Sequence, residues 1–266
     1  MDKMLVVIFS DQNRAYDACS ALKEMHAQGS FTIYSIAVVS QNRQGRTSLR
    51  PLPGEGSLGS VLTVATSGLV SLLGAPLRLA AQATAGTLAD VLVDYRNVGV
   101  GADFLDQVSK YMAPGKTVIV AEVDEDWALP VDTRMEALGG IVLRRARTAI
   151  EEVQFERDII MLRADIASLK AASAYASRDT KAQIEARIYV AQSELQALQV
   201  RAVVRGDELK READAKIKSV MGQAAHAEGE TRIRLQQRIA DLQADYQVRS
   251  AKLNKVEQLA EKALAS

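Results

Sequence analysis

Four acidic residues crowd together after one predicted strand, and they are the most chemically suggestive feature of the chain. Glu122, Asp124, Glu125 and Asp126 are close neighbours in the sequence, and carboxylate oxygens are the ligands that Ca²⁺ and Mg²⁺ prefer. They lack the regular spacing of a calcium-binding loop. We therefore interpret them as the solvated end of a strand and predict no metal site.

Two glycine-containing motifs suggest phosphate binding, but their surroundings do not fit it. The stretch 54–59 satisfies G-x-G-x-x-G, yet no apolar strand precedes it and no acidic residue follows about 20 positions later. Gly115-Lys116-Thr117 ends like a phosphate-binding loop, but Lys110 stands where the first glycine is needed and a strand follows instead of a helix. We predict a flexible connection at the first motif, a turn at the second, and no cofactor.

The remaining reactive residue types are isolated. His26 and His226 have no partner at metal-binding or catalytic spacing, so we interpret both as surface side chains. Cys19 lies on the apolar face of a predicted helix and is expected in the core. Trp127 is expected either to cap the core or to anchor a subunit contact, with the core favoured. Since no catalytic constellation is present, we predict that the protein is not an enzyme.

Composition narrows the function classes further. The 266 residues carry 33 basic and 33 acidic side chains, so no net field attracts nucleic acid. A single cysteine excludes an intramolecular disulfide, and the first residues do not resemble a signal peptide. These features predict a cytoplasmic protein that does not bind nucleic acid.

Proline and charge divide the chain into two predicted domains. All five prolines lie within the first 130 residues, and charged residues rise from about 20% of residues 1–148 to about 31% of residues 149–266. This contrast is typical of a globular domain followed by a solvated helical segment. We therefore predict an α+β domain over 1–148 and a helical coiled-coil domain over 149–266.

The order of elements in the first domain predicts a ferredoxin-like fold. Short apolar runs predict strands, and a 3–4 spacing of apolar residues predicts helices. The predicted elements are the strand Met4–Ser10, a helix ending near Gly29, the strands Phe31–Val39 and Thr47–Leu49, the helix Asp103–Met112, the strand Lys116–Val123, the helix Leu129–Leu138 and the strand Ile141–Arg145. Their pattern is β-α-β-β, an insertion, then α-β-α-β.

The predicted insertion, about residues 56–96, is apolar and leaves two alternatives open. No charge occurs from Gly56 to Leu77, which is long enough to span a bilayer but is diluted by serine, threonine and glycine. Gly59, Thr63 and Ser67 recur every four positions, which suits close helix packing. We favour a buried or self-associating helical hairpin; the alternative is a membrane anchor formed by residues 56–89.

The first domain resembles a known bacterial family of unknown function. The residues that carry the resemblance are the strand ending in Phe9-Ser10, the glycine-rich apolar centre, and the stretches 101–108 and 112–124. Members of that family are described only as predicted membrane proteins, and the resemblance covers about residues 3–146. It implies a ferredoxin-like domain with a helical insert and implies no catalytic residues. The helical tail lies outside the family pattern.

The tail carries a heptad pattern. Apolar residues alternate at spacings of three and four, and among them Leu195, Leu198, Leu242 and Leu253 are expected in a helix–helix seam. Candidate breaks are 177–180, Gly206-Asp207 and Gly229, so we predict antiparallel helices rather than one rod.

These features together predict a non-enzymatic, self-assembling scaffold whose partner is a second copy of itself. The residues predicted to carry self-association are Gly59, Thr63, Ser67, Leu195, Leu198, Leu242 and Leu253. The alternative is a membrane-associated stress or envelope protein that binds a lipid surface through residues 56–89.

Overall fold

The computed structural model describes residues 2–42, 47–52, 62–74, 98–147 and 151–265. The chain forms two compact units. Unit 1 comprises Met1–Thr148 and Glu212–Leu242, and unit 2 comprises Ala149–Arg211 and Gln243–Ser266. Unit 1 thus combines residues up to 148 with the middle segment of the tail, and the predicted division into two domains stays a prediction.

Unit 1 is an α+β unit built on a five-stranded sheet. The strands are β1 (Asp2–Phe9), β2 (Thr32–Gln41), β3 (Thr47–Arg50), β4 (Thr117–Asp124) and β5 (Ile141–Ala146). Their order across the sheet is β3-β2-β4-β1-β5, and every neighbouring pair is antiparallel. The five predicted strands are confirmed, since long apolar and β-branched runs suit a sheet that is buried on both faces.

Helices cover the two faces of this sheet. They are α1 (Gln12–Ala27), α2 (Val64–Gly74), α3 (Ala102–Tyr111) and α4 (Leu129–Ala137). Alternate residues of β1 point to opposite faces: Leu5 and Val7 join the core under α1 and α4, whereas Val6 and Ile8 join the core under α2 and α3. The three helices predicted in this domain outside the insert are confirmed: α3 and α4 agree with the prediction within one residue at each end, and α1 ends two residues before the predicted end near Gly29.

The predicted insert is described only in part. α2 is a helix whose Ala65, Leu69 and Leu72 side chains are buried in the second of these cores. Residues 53–61 and 75–97, which contain most of the predicted hairpin, lie outside the described residues. Within the described part of the chain, no helix combines the length and the apolar character that a membrane span requires.

The tail consists of three helices in the described residues: α5 (Glu151–Ser173), α6 (Arg178–His226) and α7 (Gly229–Ala265). The first break falls at residues 174–177 and overlaps the predicted break 177–180 only at Ser177. The predicted break at Gly229 is confirmed by a glycine with a φ of +53°. The predicted break at Gly206-Asp207 is wrong. α6 continues through both residues, because a single glycine costs a helix only about 1 kcal/mol.

Unit 2 has an apolar core made by all three of these helices. Its buried side chains include Phe155 and Ile159 from α5, Leu195 from α6, and Leu253 and Val256 from α7. Residues spaced by three and four supply one face of each helix, as the heptad pattern predicts.

Candidate functional site

Three acidic side chains share one face at one end of the sheet in unit 1. The register pairs Asp2 of β1 with Asp124 of β4, and Met4 with Glu122. Directly opposed residues lie on the same face, and so do residues two apart on one strand. Asp2, Glu122 and Asp124 therefore project together from the sheet, next to Tyr34 of β2.

Three basic side chains meet these carboxylates. Lys216 of α6 places its Nζ 2.6 Å from Asp2 Oδ2 and 2.6 Å from Glu122 Oε1. Arg147, which follows β5, pairs through Nη1 with the same Glu122 oxygen. Arg238 of α7 places Nη2 2.5 Å from Asp2 Oδ1 and Nε 2.9 Å from Asp124 Oδ2.

A fourth carboxylate comes from the tail itself and completes what we call the ionic cluster. Glu212 of α6 lies 2.8 Å from Lys216 Nζ and 2.6 Å from Arg147 Nη1. Arg147 also donates from Nε to the carbonyl oxygen of Val98 at 3.1 Å. The ionic cluster is thus defined as Asp2, Glu122, Asp124, Arg147, Glu212, Lys216 and Arg238.

Burial makes the interactions in the ionic cluster strong. Glu122 has no exposed surface, and Glu212 and Lys216 are also buried. Burial by itself lowers the pKa of Lys216, but the carboxylates of Glu122 and Glu212 outweigh it and raise that pKa above its ordinary value. Burial raises the pKa of Asp2, yet Lys216, Arg238 and Arg147 together lower it below its usual range. Lys216 and Asp2 therefore stay charged at neutral pH.

Tyr34 closes one side of the ionic cluster. Its hydroxyl accepts a hydrogen bond from Arg238 Nε at 2.8 Å, and Lys216 Nζ lies 5.2 Å from its ring centroid, in cation–π range. Burial is the main reason that the pKa of Tyr34 rises well above its ordinary value, with Asp2 and Asp124 adding to it. The phenol is therefore neutral and does not act as a base.

A second, neutral set of polar contacts joins α6 to β2 nearby. Gln223 Nε2 donates to the carbonyl oxygens of His26 and Phe31, at 2.6 and 2.8 Å, and its Oε1 accepts from Thr32 Oγ1 at 2.7 Å. Ser219 Oγ donates to the carbonyl oxygen of Ile33 at 2.6 Å. Every one of these buried groups gains a partner, which is what burial of polar groups requires.

The opposite face of the same sheet end carries another buried carboxylate. Glu125 Oε1 lies 3.3 Å from Lys3 Nζ and 3.3 Å from Arg144 Nη1, and Arg144 also pairs with Asp132. The interpretation of the acidic residues as a solvated strand end is therefore wrong for Glu122, Asp124 and Glu125. Sequence reasoning missed the partners of Glu122 and Asp124 because Lys216 and Arg238 are distant in the chain. Of the four acidic residues, Asp126 alone is exposed.

The ionic cluster is suited to holding segments together rather than to catalysis. Each of its carboxylates already faces an ammonium or guanidinium group, so none is free to accept a substrate proton. Among the described residues, no group of three or more His, Cys, Asp or Glu side chains could hold a metal ion. The cluster instead ties residues 212–242 to the sheet within unit 1.

The other candidate residues divide into confirmed and corrected predictions. Cys19 is buried in the core as predicted, and burial raises its thiol pKa to about 11, so it is a poor nucleophile. His226 is exposed as predicted. His26 is buried, so the prediction of a surface side chain is wrong. Burial is tolerated because its Nδ1 accepts a hydrogen bond from the Ile33 backbone N–H at 3.1 Å. Trp127 is 69% exposed, so its predicted place in the core is wrong.

The two glycine motifs differ in what the structure describes. Gly115 adopts a φ of +89°, the Lys116 N–H donates to the Ala113 carbonyl oxygen at 3.0 Å, and β4 begins at Thr117. The predicted turn is therefore confirmed. The G-x-G-x-x-G stretch at 54–59 lies outside the described residues.

The residues predicted to carry self-association are mostly used within the chain. Leu195, Leu198 and Leu253 are buried in unit 2, and Leu242 is buried in unit 1 against Tyr34, Val220 and Leu235. Burial inside one chain leaves these four leucines little apolar surface for a second copy.

The small-residue stripe of the insert is described in part. Thr63 is buried, and its backbone N–H donates to Ser35 Oγ at 3.2 Å. Ser67 is half-buried, and Gly59 lies outside the described residues. Self-association through this stripe therefore stays a prediction.

Unit 2 has an open groove between α5 and α6. Two adjoining cavities of about 460 Å³ and 540 Å³ lie along it, and Leu162, Asp165 and Glu194 border both. Leu162, Ala191 and Leu198 contribute to its apolar lining, and Met161 and Val190 beside them are largely exposed. This surface is concave, and its lining combines apolar side chains with charged ones, as in a groove that binds an amphipathic helix.

Comparison with known proteins assigns no family to the chain. No family model, curated protein or solved structure matches it. The resemblance noted for residues 3–146 therefore stays a prediction, and function has to be inferred from the surfaces described above.

Proposed function

We propose that the protein is a non-enzymatic scaffold that assembles with copies of itself through the helical unit. The observation that supports this proposal is a strip of exposed valines on α6. Val200 is 59% exposed, Val203 45% and Val204 49%, and Tyr189 on the same side of the helix is 72% exposed. We call Val200, Val203 and Val204 the valine strip.

The valine strip lies opposite the buried seam of α6. At about 100° per residue, Val200 and Val204 project roughly half a turn away from Leu195, Leu198 and Ala202, which fill the core of unit 2, and Val203 projects about a third of a turn away. Valine is a weaker helix former than alanine, lysine or glutamate, since its branched side chain loses rotamer freedom. Three exposed valines therefore weaken an isolated helix, and a second apolar surface packed against them offsets that cost.

For unit 1 we infer a ferredoxin-like arrangement that serves as the folded support. The strands β5, β1, β4 and β2 follow one another in the sheet in the order 4-1-3-2 of a β-α-β-β-α-β motif. The strand β3 and the helices α2 and α3 are then additions between the second and third strands of that motif. The two central strands carry three of the four carboxylates of the ionic cluster, which supports a structural role for the cluster.

The proposal extends to partner and location. A net formal charge of zero supports a protein partner rather than nucleic acid, and we place the protein in the cytoplasm. The alternative of a membrane anchor at residues 56–89 draws no support from α2. The described apolar side chains of this helix, such as Leu69 and Leu72, pack against the sheet instead of facing outward.

Light scattering on a sizing column, without detergent, tests the proposal. At about 100 μM, well above the dissociation constant of a moderate interface, we expect the full chain to elute at a mass of at least two copies. The double variant Val200→Lys with Val203→Lys is expected to elute as a monomer. The matched control, Ile233→Lys with Val248→Lys, changes two equally exposed side chains on α7 and is expected to keep the wild-type mass.

Either of two results would overturn the proposal. A monomeric wild-type chain at this concentration contradicts self-assembly itself. An oligomer that survives the substitutions in the valine strip contradicts the assignment of that strip. Circular dichroism spectra of both variants establish that they retain their helices.

A further inference from the structure

The groove between α5 and α6 in unit 2 has a distinctive charge pattern. Asp165 of α5 and Glu194 of α6 both border its two halves, so they mark its centre. Arg187 lies in one half, and Arg201 lies in the other. The centre is therefore acidic, with apolar surface and an arginine towards each end, and one end carries a further carboxylate, Asp158.

The two central carboxylates are unpartnered within the described part of the chain. Both side chains are exposed, and no described cation lies within salt-bridge distance of Asp165 or Glu194. By contrast, the carboxylates of the ionic cluster each have a basic partner. The charge at the centre of the groove is thus available to a group from outside the chain.

We propose that this groove binds an amphipathic helix of a partner protein that presents lysine or arginine between apolar residues. The groove extends from Asp158 to Leu169 on α5, a length of about 16 Å at 1.5 Å per residue, which matches about three turns of a helix. Apolar side chains spaced at i, i+3 or i+4, and i+7 would fill the two cavities. A basic side chain at the middle position would then lie between Asp165 and Glu194.

A second copy of the same groove is a poor occupant. A symmetric dimer places each surface patch against its own equivalent, so the acidic centres of two grooves would face each other, and opposed like charges are destabilising. The groove borders the valine strip but is lined by none of its three valines. Val190 and Ala197 lie roughly 60–140° around α6 from Val200 and Val203, with Val204 between them. Because the groove and the strip use different residues, the inference does not depend on the proposed self-assembly.

Fluorescence anisotropy with two designed helical peptides tests the inference. Both peptides carry leucines at i, i+3, i+7 and i+10; one has lysines at the two central positions of the polar edge and the other has glutamates there. We expect the lysine peptide to bind the full chain about tenfold more tightly than the glutamate peptide, as two partly exposed ion pairs predict.

Charge reversal supplies the discriminating variants. Asp165→Lys with Glu194→Lys should reverse the preference, so that the glutamate peptide binds more tightly. The control Glu185→Lys with Glu261→Lys makes the same change in net charge at exposed positions of unit 2 outside the groove, and it should keep the preference for the lysine peptide.

Three results would overturn the inference. The first is no binding of the lysine peptide, and the second is equal binding of the two peptides. The third is wild-type self-association that is lost in the Asp165→Lys, Glu194→Lys variant but kept in its control, because a second copy would then occupy the groove. If self-association is lost only in the valine-strip variant, the groove is free to bind another protein, and the result agrees with both proposals.

Discussion

One helix, α6, uses the same spacing of residues in two different ways. In unit 2 its buried positions are mostly small or apolar, as at Ala191, Leu195, Leu198 and Ala202, with Arg205 the exception. In unit 1 the buried positions that continue at spacings of three and four are largely polar: Glu212, Lys216 and Gln223, with Val220 between them. The burial pattern is continuous, but the chemistry of the buried side chains changes near residue 211.

The change in chemistry follows the change in partner. In unit 2 the seam meets apolar side chains of α5 and α7. In unit 1 it meets a sheet end that offers the carboxylates of Asp2 and Glu122 and the carbonyl oxygens of His26 and Phe31. Heptad spacing therefore determines which face of a helix is buried, whereas the side chains on that face determine which kind of surface can pack against it. Replacing a whole charged seam by apolar residues is often neutral or stabilising, whereas removing one charged partner alone leaves a buried charge without compensation.

The largest expected effect comes from Lys216→Met, which removes the central cation of the ionic cluster. The Glu122 and Glu212 carboxylates would stay buried with one cation fewer, and breaking a buried ion pair costs about 3–5 kcal/mol. We expect the free energy of unfolding to fall by that amount in urea denaturation followed by circular dichroism. Lys218→Met, at an exposed position of the same helix, is the matched control and should change it by less than about 0.5 kcal/mol. A loss below about 1 kcal/mol for Lys216→Met would show that the cluster does not stabilise the fold.

A somewhat smaller effect is expected from the apolar part of the seam. Leu195→Ala removes a fully buried side chain from the core of unit 2 and should lower the free energy of unfolding by about 2–4 kcal/mol through lost burial and a cavity. Gln196→Ala, one residue along and exposed, serves as its control.

The comparison between the two parts of α6 also predicts opposite responses to substitution by methionine. Leu195→Met should leave the free energy of unfolding nearly unchanged, because the volume is conserved, whereas Lys216→Met should lower it. Similar losses for both methionine variants would contradict the distinction.

Much of the fold follows from local patterns in the sequence. The strands β1 and β4 are long runs of Val, Ile and Leu, and the turns at Gly29 and Gly115 need residues that tolerate positive φ, which glycine does without strain. The break between α5 and α6 carries serine and threonine next to each other in space, with Ser177 Oγ 2.9 Å from Thr180 Oγ1. Each of these signals lies within a few residues of the feature that it determines.

The ionic cluster could not be predicted in the same way, because its members are far apart in the chain. Asp2 and Lys216 are separated by 214 residues, and no local pattern links them. One signal was available: Glu212, Lys216 and Gln223 fall at buried seam positions where leucine or alanine is usual, and a polar residue there needs a polar partner. That signal indicates that a partner exists, but it does not identify the sheet end as that partner.

The smallest expected effect is a pH dependence that belongs to unit 1 alone. Burial lowers the pKa of His26 to about 4, against about 6.5 in an unfolded chain. Between these two values the unfolded state binds a proton and the folded state does not, so the free energy of unfolding falls as the pH falls. We expect a loss of about 1–2 kcal/mol between pH 7 and pH 5, measured by urea denaturation at each pH.

Two histidine variants separate this effect from other titrations. His26→Gln keeps a side chain that can accept the hydrogen bond from the Ile33 N–H but cannot titrate, so its free energy of unfolding should vary less between pH 7 and pH 5 than that of the wild type. His226→Gln changes an exposed histidine and should leave the wild-type dependence intact. Both histidines lie in unit 1, so the apolar seam of unit 2 has no histidine to add to the loss. If His26→Gln loses as much free energy of unfolding between pH 7 and pH 5 as the wild type, the acid sensitivity comes from the buried carboxylates of unit 1 and not from His26. The polar part of the α6 seam would then account for the whole difference in acid sensitivity between the two units.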